Sequence, residues 1–427
     1  METYFLFTSA SCAREDHSWL ALSREARWGG GAITDCLTLR DSILWHLILK
    51  VARNACMSTL TPDSILKALR TVQDPDLKQD LVTLNMIRDL VVSEKGAVSF
   101  RVVLTTPACP LKAKIENDCR TAVTSVAGVT SVDIKLDAEV KAKRGGGPQG
   151  VNIIPGVSHI IAVSSGKGGV GKSTVAVNLA TALAMDGAKV GLMDADVYGP
   201  NVPTMMGVTD QPQLFQDPVR GELFIPPLAH DVKVMSMGFL IQGDQPLVWR
   251  GPMLHSVVSQ FCHKVQWGSL DYLIIDMPPG TGDVQLSLAQ LVPVTGAVMV
   301  STPQEVSMQD VRKAFHMFEK VRIPILGVVE NMSYFKCDGC EKRHPLFGDG
   351  GGKALAKKFN TELLAELPIV TQVREGGDEG RPIVMRDPGS EIAQTFRDLA
   401  RKIAQQTSIL ANQSIDPSQI VQIGKFN

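Results

Sequence analysis

Apolar residues recur along this chain in two different rhythms, and the change of rhythm divides it. Thr61 and Pro62 fit an N-cap and a first helical position, and Ile65, Leu66, Leu69 and Val72 follow at helical spacing. Val98, Phe100, Val102 and Leu104 then alternate as a half-buried strand. Leu111, Ile115, Cys119, Ala122 and Val126 line one face of a second helix, and Val132, Ile134 and Leu136 alternate again. This pattern predicts a small α+β domain over residues 58–137. The stretch "KAKRGGGPQG" at 141–150 has glycine and no apolar period, which marks a flexible linker within 138–158.

Beyond it, short apolar runs at Ile160–Val163, Val190–Met193, Tyr272–Ile275, Ala297–Val300 and Ile325–Val329 alternate with helical stretches. Strands alternating with helices imply an α/β domain with a mostly parallel, doubly wound sheet, here expected over 159–408. Its closing helix is predicted over Ile392–Ile403, with Ile392, Phe396, Leu399 and Ile403 on one face, and residues 409–427 read as a polar tail. Residues 1–57 fit neither rhythm. They hold three of the five tryptophans and three of the eight cysteines without sustained periodicity. Glu2, Glu15, Asp16, Glu25, Asp35 and Asp41 argue against a transit peptide, which would be poor in acids. The expectation is an extension outside the working protein, which would begin near Met57.

Composition acts mainly by exclusion. With 427 residues, 44% hydrophobic and 20% charged, the chain has the makeup of a soluble globular protein. A formal charge of -1, from 43 basic against 44 acidic residues, offers no overall attraction to nucleic acid or an anionic membrane. No apolar run approaches the ~18 residues of a membrane span, since the longest, Ile43–Val51, is interrupted by His46 and Lys50. The eight unevenly spaced cysteines, with no recognisable secretory signal, point to reduced thiols in a cytoplasmic protein.

The chemistry therefore lies in local motifs. Gly166–Ser173 spells G-x-x-x-x-G-K-S after the apolar "HIIAV" and before the helical "TVAVNLATALAMDG". In that setting the glycines turn backbone N–H groups toward phosphate oxygens, the helix N-terminus adds partial positive charge, Lys172 reaches the outer phosphates and Ser173 can ligate Mg2+. Gly166, Lys167, Gly168, Gly169, Val170, Gly171, Lys172, Ser173 and Thr174 are the expected cradle for ATP. Asp194 and Asp196 in "VGLMDADVYGPN" and Asp276 in "DYLIIDMPPGTGD" sit at strand ends, where ligands bind in open α/β sheets.

The second lysine, Lys167, gives G-K-G-G-x-G-K-[ST], which is similar to the deviant Walker motif of the MinD/ParA and nitrogenase-iron-protein class. That resemblance implies a homodimer sandwiching two ATPs, with Lys167 reaching the partner's nucleotide, much as an arginine finger acts in trans. It also implies that Asp196 orients the attacking water with Asp194 assisting, and that Asp276 holds Mg2+. Gly280 would serve as a second switch, Asn331 in "VVENMSYF" would read adenine, and Pro368 in "ELPIV" would lie against the ring.

Cys337 and Cys340 form a C-x-x-C among charged residues and glycines. Soft thiolates suit an iron–sulfur cluster or zinc, yet either usually wants four ligands, which two copies of the chain could supply. A redox pair is the alternative, although Asp338 and Gly339 favour a turn over the helix start of a thioredoxin-like motif. Cys262, beside His263 in a helical stretch, reads as core.

With "ENMSYF-x-C-x-x-C", "LFGDGGG" and "REGGDEGRPIV" added to the phosphate loop, the chain over about 58–408 closely resembles the Mrp/ApbC family of iron–sulfur cluster carrier ATPases. That resemblance implies a [4Fe-4S] cluster bridging two subunits through Cys337 and Cys340. It also implies slow ATP hydrolysis coupled to loading or transfer, with apo iron–sulfur proteins and a cluster-assembly scaffold as partners. "DPDL" at 74–77 and "LTTPACPLK" at 104–112 resemble the small domain that precedes the ATPase in many members, where the position of Cys109 often draws functional interest. Two rivals fit less well. A MinD/ParA-type positioning ATPase needs a membrane helix or basic DNA face that the tail lacks, and a nitrogenase-like reductase takes its two cysteines from separate segments.

Overall fold

The computed structural model describes residues 60–140, 154–240, 251–337 and 339–412. The predicted N-terminal extension, most of the linker and the tail from 413 lie outside the described residues.

The first domain begins with helix α1 (Pro62–Leu69). The Thr61 hydroxyl accepts from the Ser64 N–H at 3.3 Å and the Ser64 hydroxyl accepts from the Thr61 N–H at 3.2 Å, a reciprocal cap that satisfies two otherwise orphaned donors. Strand β1 (Ile87–Val92) pairs antiparallel with β2 (Ala97–Leu104), helix α2 (Lys112–Thr124) crosses over, and β3 (Ser131–Ala138) returns parallel to β2. Val98, Phe100, Val102 and Leu104 are buried as their alternation demands, against Ile65, Leu69, Ile115 and Cys119. Helix α2 ends before Val126, and Val123 takes the buried position instead, continuing the four-residue step from Ile115 and Cys119.

The larger domain carries, in chain order, β4 (Val157–Ser165), α3 (Lys172–Met185), β5 (Val190–Asp194), α4 (Val202–Met205), β6 (Val232–Ser236) and α5 (Gly251–Lys264). There follow β7 (Leu270–Asp276), α6 (Asp283–Leu291), β8 (Gly296–Ser301), α7 (Glu305–Lys320), β9 (Ile325–Lys336) and α8 (Gly351–Lys358). The chain closes with β10 (Leu363–Ile369), α9 (Thr371–Asp378), α10 (Ile383–Arg386) and α11 (Glu391–Asn412). Strands run parallel in the order β6-β5-β7-β4-β8-β9-β10, with two-residue antiparallel strands at Leu228–Ala229 and Arg343–His344 completing a nine-stranded sheet. The central strands read as continuous apolar runs because both faces are covered, one by the cluster around α3 and α11 and the other by that around α5 and α7.

Several boundaries differ from the pattern. The domain starts at Val157 within the expected linker, and β3 runs to Ala138. The last helix spans 22 residues, past Ile403 and past the expected end near 408, because Ala404, Thr407 and Ser408 continue the buried face against the domain. The two domains touch: the Tyr272 hydroxyl donates to Thr106 Oγ1 at 3.0 Å, Gln405 Nε2 donates to Asp76 Oδ1 at 2.5 Å, and Ala108 joins the larger domain's apolar cluster. Among the described residues, no helix is long and apolar enough to cross a membrane.

Candidate functional site

Four strand ends build the site. Register places Ser236, Asp194 and Asp276 side by side on the adjacent strands β6, β5 and β7, while β4 ends at Ser165 and opens into the loop Gly166–Gly171. Gly169 (φ +77°) and Gly171 (φ +80°) adopt the left-handed conformation that lets the loop reverse into α3. Gly166 is needed for a different reason: a Cβ there would run into the backbone of Asp310 and Val311 in α7. Helix α3 is apolar nearly all round, with Val175–Leu183 buried between the sheet and α11, so its N-terminus cannot drift from the strand ends. The resulting cleft, about 350 Å³, is lined by Lys167–Thr174 on one side and by Asp196, Tyr198, Asn201 and Pro279 on the other. That size lies at the lower end of the roughly 300–1,000 Å³ typical of small-molecule sites.

Charge is concentrated at its floor. Lys172 Nζ lies 2.6 Å from Asp276 Oδ1 and 3.4 Å from Asp196 Oδ2, and the Ser173 hydroxyl donates to Asp276 Oδ2 at 2.5 Å. Burial alone would depress the Lys172 ammonium, but the carboxylates of Asp276 and Asp196 outweigh it and hold the group above its ordinary value. Burial raises the Asp276 carboxyl, against the pull of Lys172 and the Ser173 hydrogen bond. Asp194 is pushed up to about 8 by burial and then by Asp276. It is held in place by the Ser236 hydroxyl at 2.8 Å and the N–H groups of Asp196 at 3.1 Å and Val202 at 3.3 Å. It thus braces the loop carrying Asp196 and shows no direct contact with Lys172.

The remaining predicted residues surround this floor. Lys167 Nζ donates to Gln304 Oε1 at 3.3 Å, at the N-cap of α7. The Gly280 N–H donates to Ser165 O at 3.2 Å, with Gly280 at φ +97°. Asn331 Nδ2 donates to Val170 O at 2.8 Å, which joins β9 to the phosphate loop. Pairing of Asn331 with Leu367 sets Pro368, half-buried in β10, next along the neighbouring strand. Asn331, Pro368, Gly280, Asp194 and Asp276 are not among the residues lining the cleft. Sequence reasoning missed Tyr198 and Asn201, although both stand in the segment that holds Asp196, and Gln304 and Ser236, which carry no motif signal.

The thiol pair lies at the far end of β9. Phe335 and Lys336 pair antiparallel with His344 and Arg343. Within the turn the Cys337 N–H donates to Lys342 O at 3.1 Å and the Glu341 N–H donates to Cys337 O at 2.8 Å. Cys337 is half-buried and Cys340 exposed. Arg343 stacks over the Tyr334 ring at 4.5 Å, and Lys336 and Arg343 reach Glu391 at 3.3 and 3.8 Å. Among the described residues, no group of three or more His, Cys, Asp or Glu side chains is placed to hold a metal ion within one chain. Cys119 and Cys262 are buried, which pushes their thiols up to about 12, and burial also raises the thiol of Cys109, half-buried like Cys337.

Comparison with known proteins finds relatives over both domains. A family model described as NUBPL iron-transfer P-loop NTPase matches residues 156–404, and one described as iron-sulfur cluster assembly protein matches 62–134. The chain is 50% identical over 353 residues to an iron-sulfur cluster carrier protein of Synechocystis sp., covering 82% of this chain and 99% of the relative. It is 43% identical over 341 residues to an iron-sulfur cluster carrier protein of Escherichia coli, covering 79% and 90%. To the chloroplastic Fe-S cluster assembly factor HCF101 of Arabidopsis thaliana it is 45% identical over 352 residues, covering 82% and 64%. Among solved structures, a nucleotide-binding protein from Archaeoglobus fulgidus in complex with ADP shares 39% identity over 56% of this chain and 92% of its own, with a TM-score of 0.49.

Proposed function

The chain belongs to the NUBPL iron-transfer P-loop NTPases, and we propose that it is an ATP-dependent carrier of iron–sulfur clusters. It holds a [4Fe-4S] cluster between the Cys337/Cys340 pairs of two copies, taking it from a cluster-assembly scaffold and passing it to apo-proteins. One observation carries this reading. An accessible thiol pair, two ligands short of a tetrahedral set, stands at the end of the strand whose Asn331 is bonded to the phosphate loop.

The residues of the cleft divide the work. Backbone N–H groups of Gly168–Thr174 and the N-terminus of α3 receive the phosphates, and Lys172 turns from Asp276 and Asp196 to neutralise them. The Ser173 hydroxyl and Asp276 carboxylate, 2.5 Å apart, are the hard oxygen donors that suit Mg2+, which would neutralise charge on the outer phosphates. Asp196 orients the attacking water, and Asp194 fixes the position of Asp196 through its N–H. Lys167 exchanges Gln304 for the nucleotide of the other copy, so that hydrolysis reports on the geometry of the dimer that grips the cluster.

Replacing Cys337 or Cys340 by alanine should abolish iron and sulfide uptake on anaerobic reconstitution while MgADP binding persists. Full iron and sulfide content in either variant would refute the bridging model.

A further inference from the structure

Glu330 has no part in the phosphate cradle or the thiol pair, yet it is a fully buried carboxylate. A buried charge needs donors, and the positions of these donors are informative. One oxygen accepts from the Ser333 hydroxyl at 2.5 Å, and the other accepts from the backbone N–H of Gly352. Ser333 lies in β9 at its bulge, four residues before Cys337, and Gly352 lies in the first turn of α8, where the chain re-enters a helix after the thiols. One side chain therefore ties the bulge of the strand that leads to the thiols to the helix that follows them.

Within that joint the strand is bulged. Met332 has φ +54°, in the left-handed region uncommon for residues other than glycine, and the pairing of β9 with β10 shifts between Asn331 and Phe335. Such a conformation persists only where its surroundings determine it, and Glu330 and Ser333 bracket it.

The phosphate loop meets the same joint twice. Asn331, adjacent to Glu330, donates to Val170 O at 2.8 Å. From the other side, Lys167 holds Gln304, and the neighbouring Pro303 packs so closely on the start of α8 that a Cβ at Gly351 would lie 2.7 Å from its carbonyl oxygen. A Cβ at Gly352 would lie 2.9 Å from both Cβ and Oε2 of Glu330. Packing that leaves no room for a methyl group switches between discrete arrangements and does not deform smoothly. Phosphates entering the loop bear on Val170, and the nucleotide of the other copy competes with Gln304 for Lys167, so nucleotide acts on both sides of the joint.

We infer that Glu330 is a positioning residue that couples nucleotide occupancy of the phosphate loop to the accessibility of the Cys337/Cys340 pair. The inference rests on the carrier reading for its purpose, but the coupling itself requires no cluster.

The test uses the full chain without cluster, with and without saturating MgADP. The rate of N-ethylmaleimide alkylation of Cys337 and Cys340 is followed by peptide mass spectrometry. Wild-type rates should differ between the two states by about fivefold or more, the lower range of allosteric couplings. Glu330→Gln keeps the volume but offers one acceptor oxygen to two donors. Its ratio should fall to about one, with MgADP affinity within about twofold of wild type. A merely structural role would lower stability and leave the ratio unchanged. Should Glu330→Gln fail to fold, Ser333→Ala removes one bond of the joint and is read the same way. A variant that keeps the wild-type ratio, or a wild type with a ratio of one, overturns the inference. Iron and sulfide content after reconstitution separates the two readings. A wild type that takes up no cluster but alkylates in a nucleotide-dependent way would retire the carrier reading and leave the coupling standing.

Discussion

Replacing Lys172 by alanine should destabilise the protein even when no nucleotide is present. The ammonium lies 2.6 Å from Asp276, with side-chain exposures of 6% and 1%, so the variant leaves a buried carboxylate with only the Ser173 hydroxyl beside it. Removing one partner of a buried ion pair typically costs about 3–5 kcal/mol, because the remaining charge stays desolvated. For a domain of this size each kcal/mol lowers Tm by about 2–4 °C, so the expected fall is on the order of 6–20 °C. The sign of the pH dependence follows from Asp276. Burial already raises its carboxyl in the folded state, and loss of Lys172 raises it further. Its folded value then lies above its unfolded value, and the folded state holds the proton more readily. The deficit of the variant is therefore smallest near the unfolded value of about 4, and grows as pH rises toward the folded value by up to about 1.4 kcal/mol per unit. Thermal melts of nucleotide-free wild type and variant at pH 6 and pH 8 measure this, and adding Asp276→Asn should recover most of the loss. A deficit below about 1 kcal/mol at pH 8, or one that neither pH nor Asp276→Asn changes, would refute the reasoning.

If Lys167 acts across the dimer, mixing a Lys167→Ala chain with a Lys172→Ala chain regenerates one intact site. Some ATPase activity should then return although neither parent has any, and a verified mixed dimer as inactive as its parents would count against trans action. Tyr272→Phe removes the buried hydroxyl that donates to Thr106 and should cost about 1 kcal/mol. Hydrogen exchange of the Thr106, Ala108 and Cys109 amides should speed up, and unchanged exchange would mean that the contact does not secure the small domain.

Much of the candidate site could be read from the sequence because its chemistry is local. The phosphate loop needs glycines, a lysine and a serine at fixed intervals between a strand and a helix, and a turn holding two thiols is complete within four residues. The fold was legible wherever burial was one-sided or total: the alternation of Val98 to Leu104 and the apolar runs of β4, β5, β7 and β8 identify themselves. Strand β1 escaped notice because only part of it is covered and Arg88 and Asp89 interrupt the pattern at a bulge. Strand β10 escaped because Glu366 and Pro368 break its apolar run near the sheet edge.

What the tertiary structure alone decided is who meets whom. Nothing in the spacing of residues places Gln304 against Lys167, Ser236 against Asp194, or Thr106 against Tyr272, since each pair is brought together by strand order and helix packing. Glu330 shows the difference most clearly. In the sequence it is one acidic residue beside a more conspicuous asparagine. In the fold, the pairing of β9 with β10 and the return of the chain into α8 bring Ser333 and Gly352 to one carboxylate. Sequence dictates the chemistry a residue can perform and the local conformation it prefers. The partners that make a buried charge tolerable are chosen by long-range packing, because only the folded core excludes the water that would otherwise solvate it.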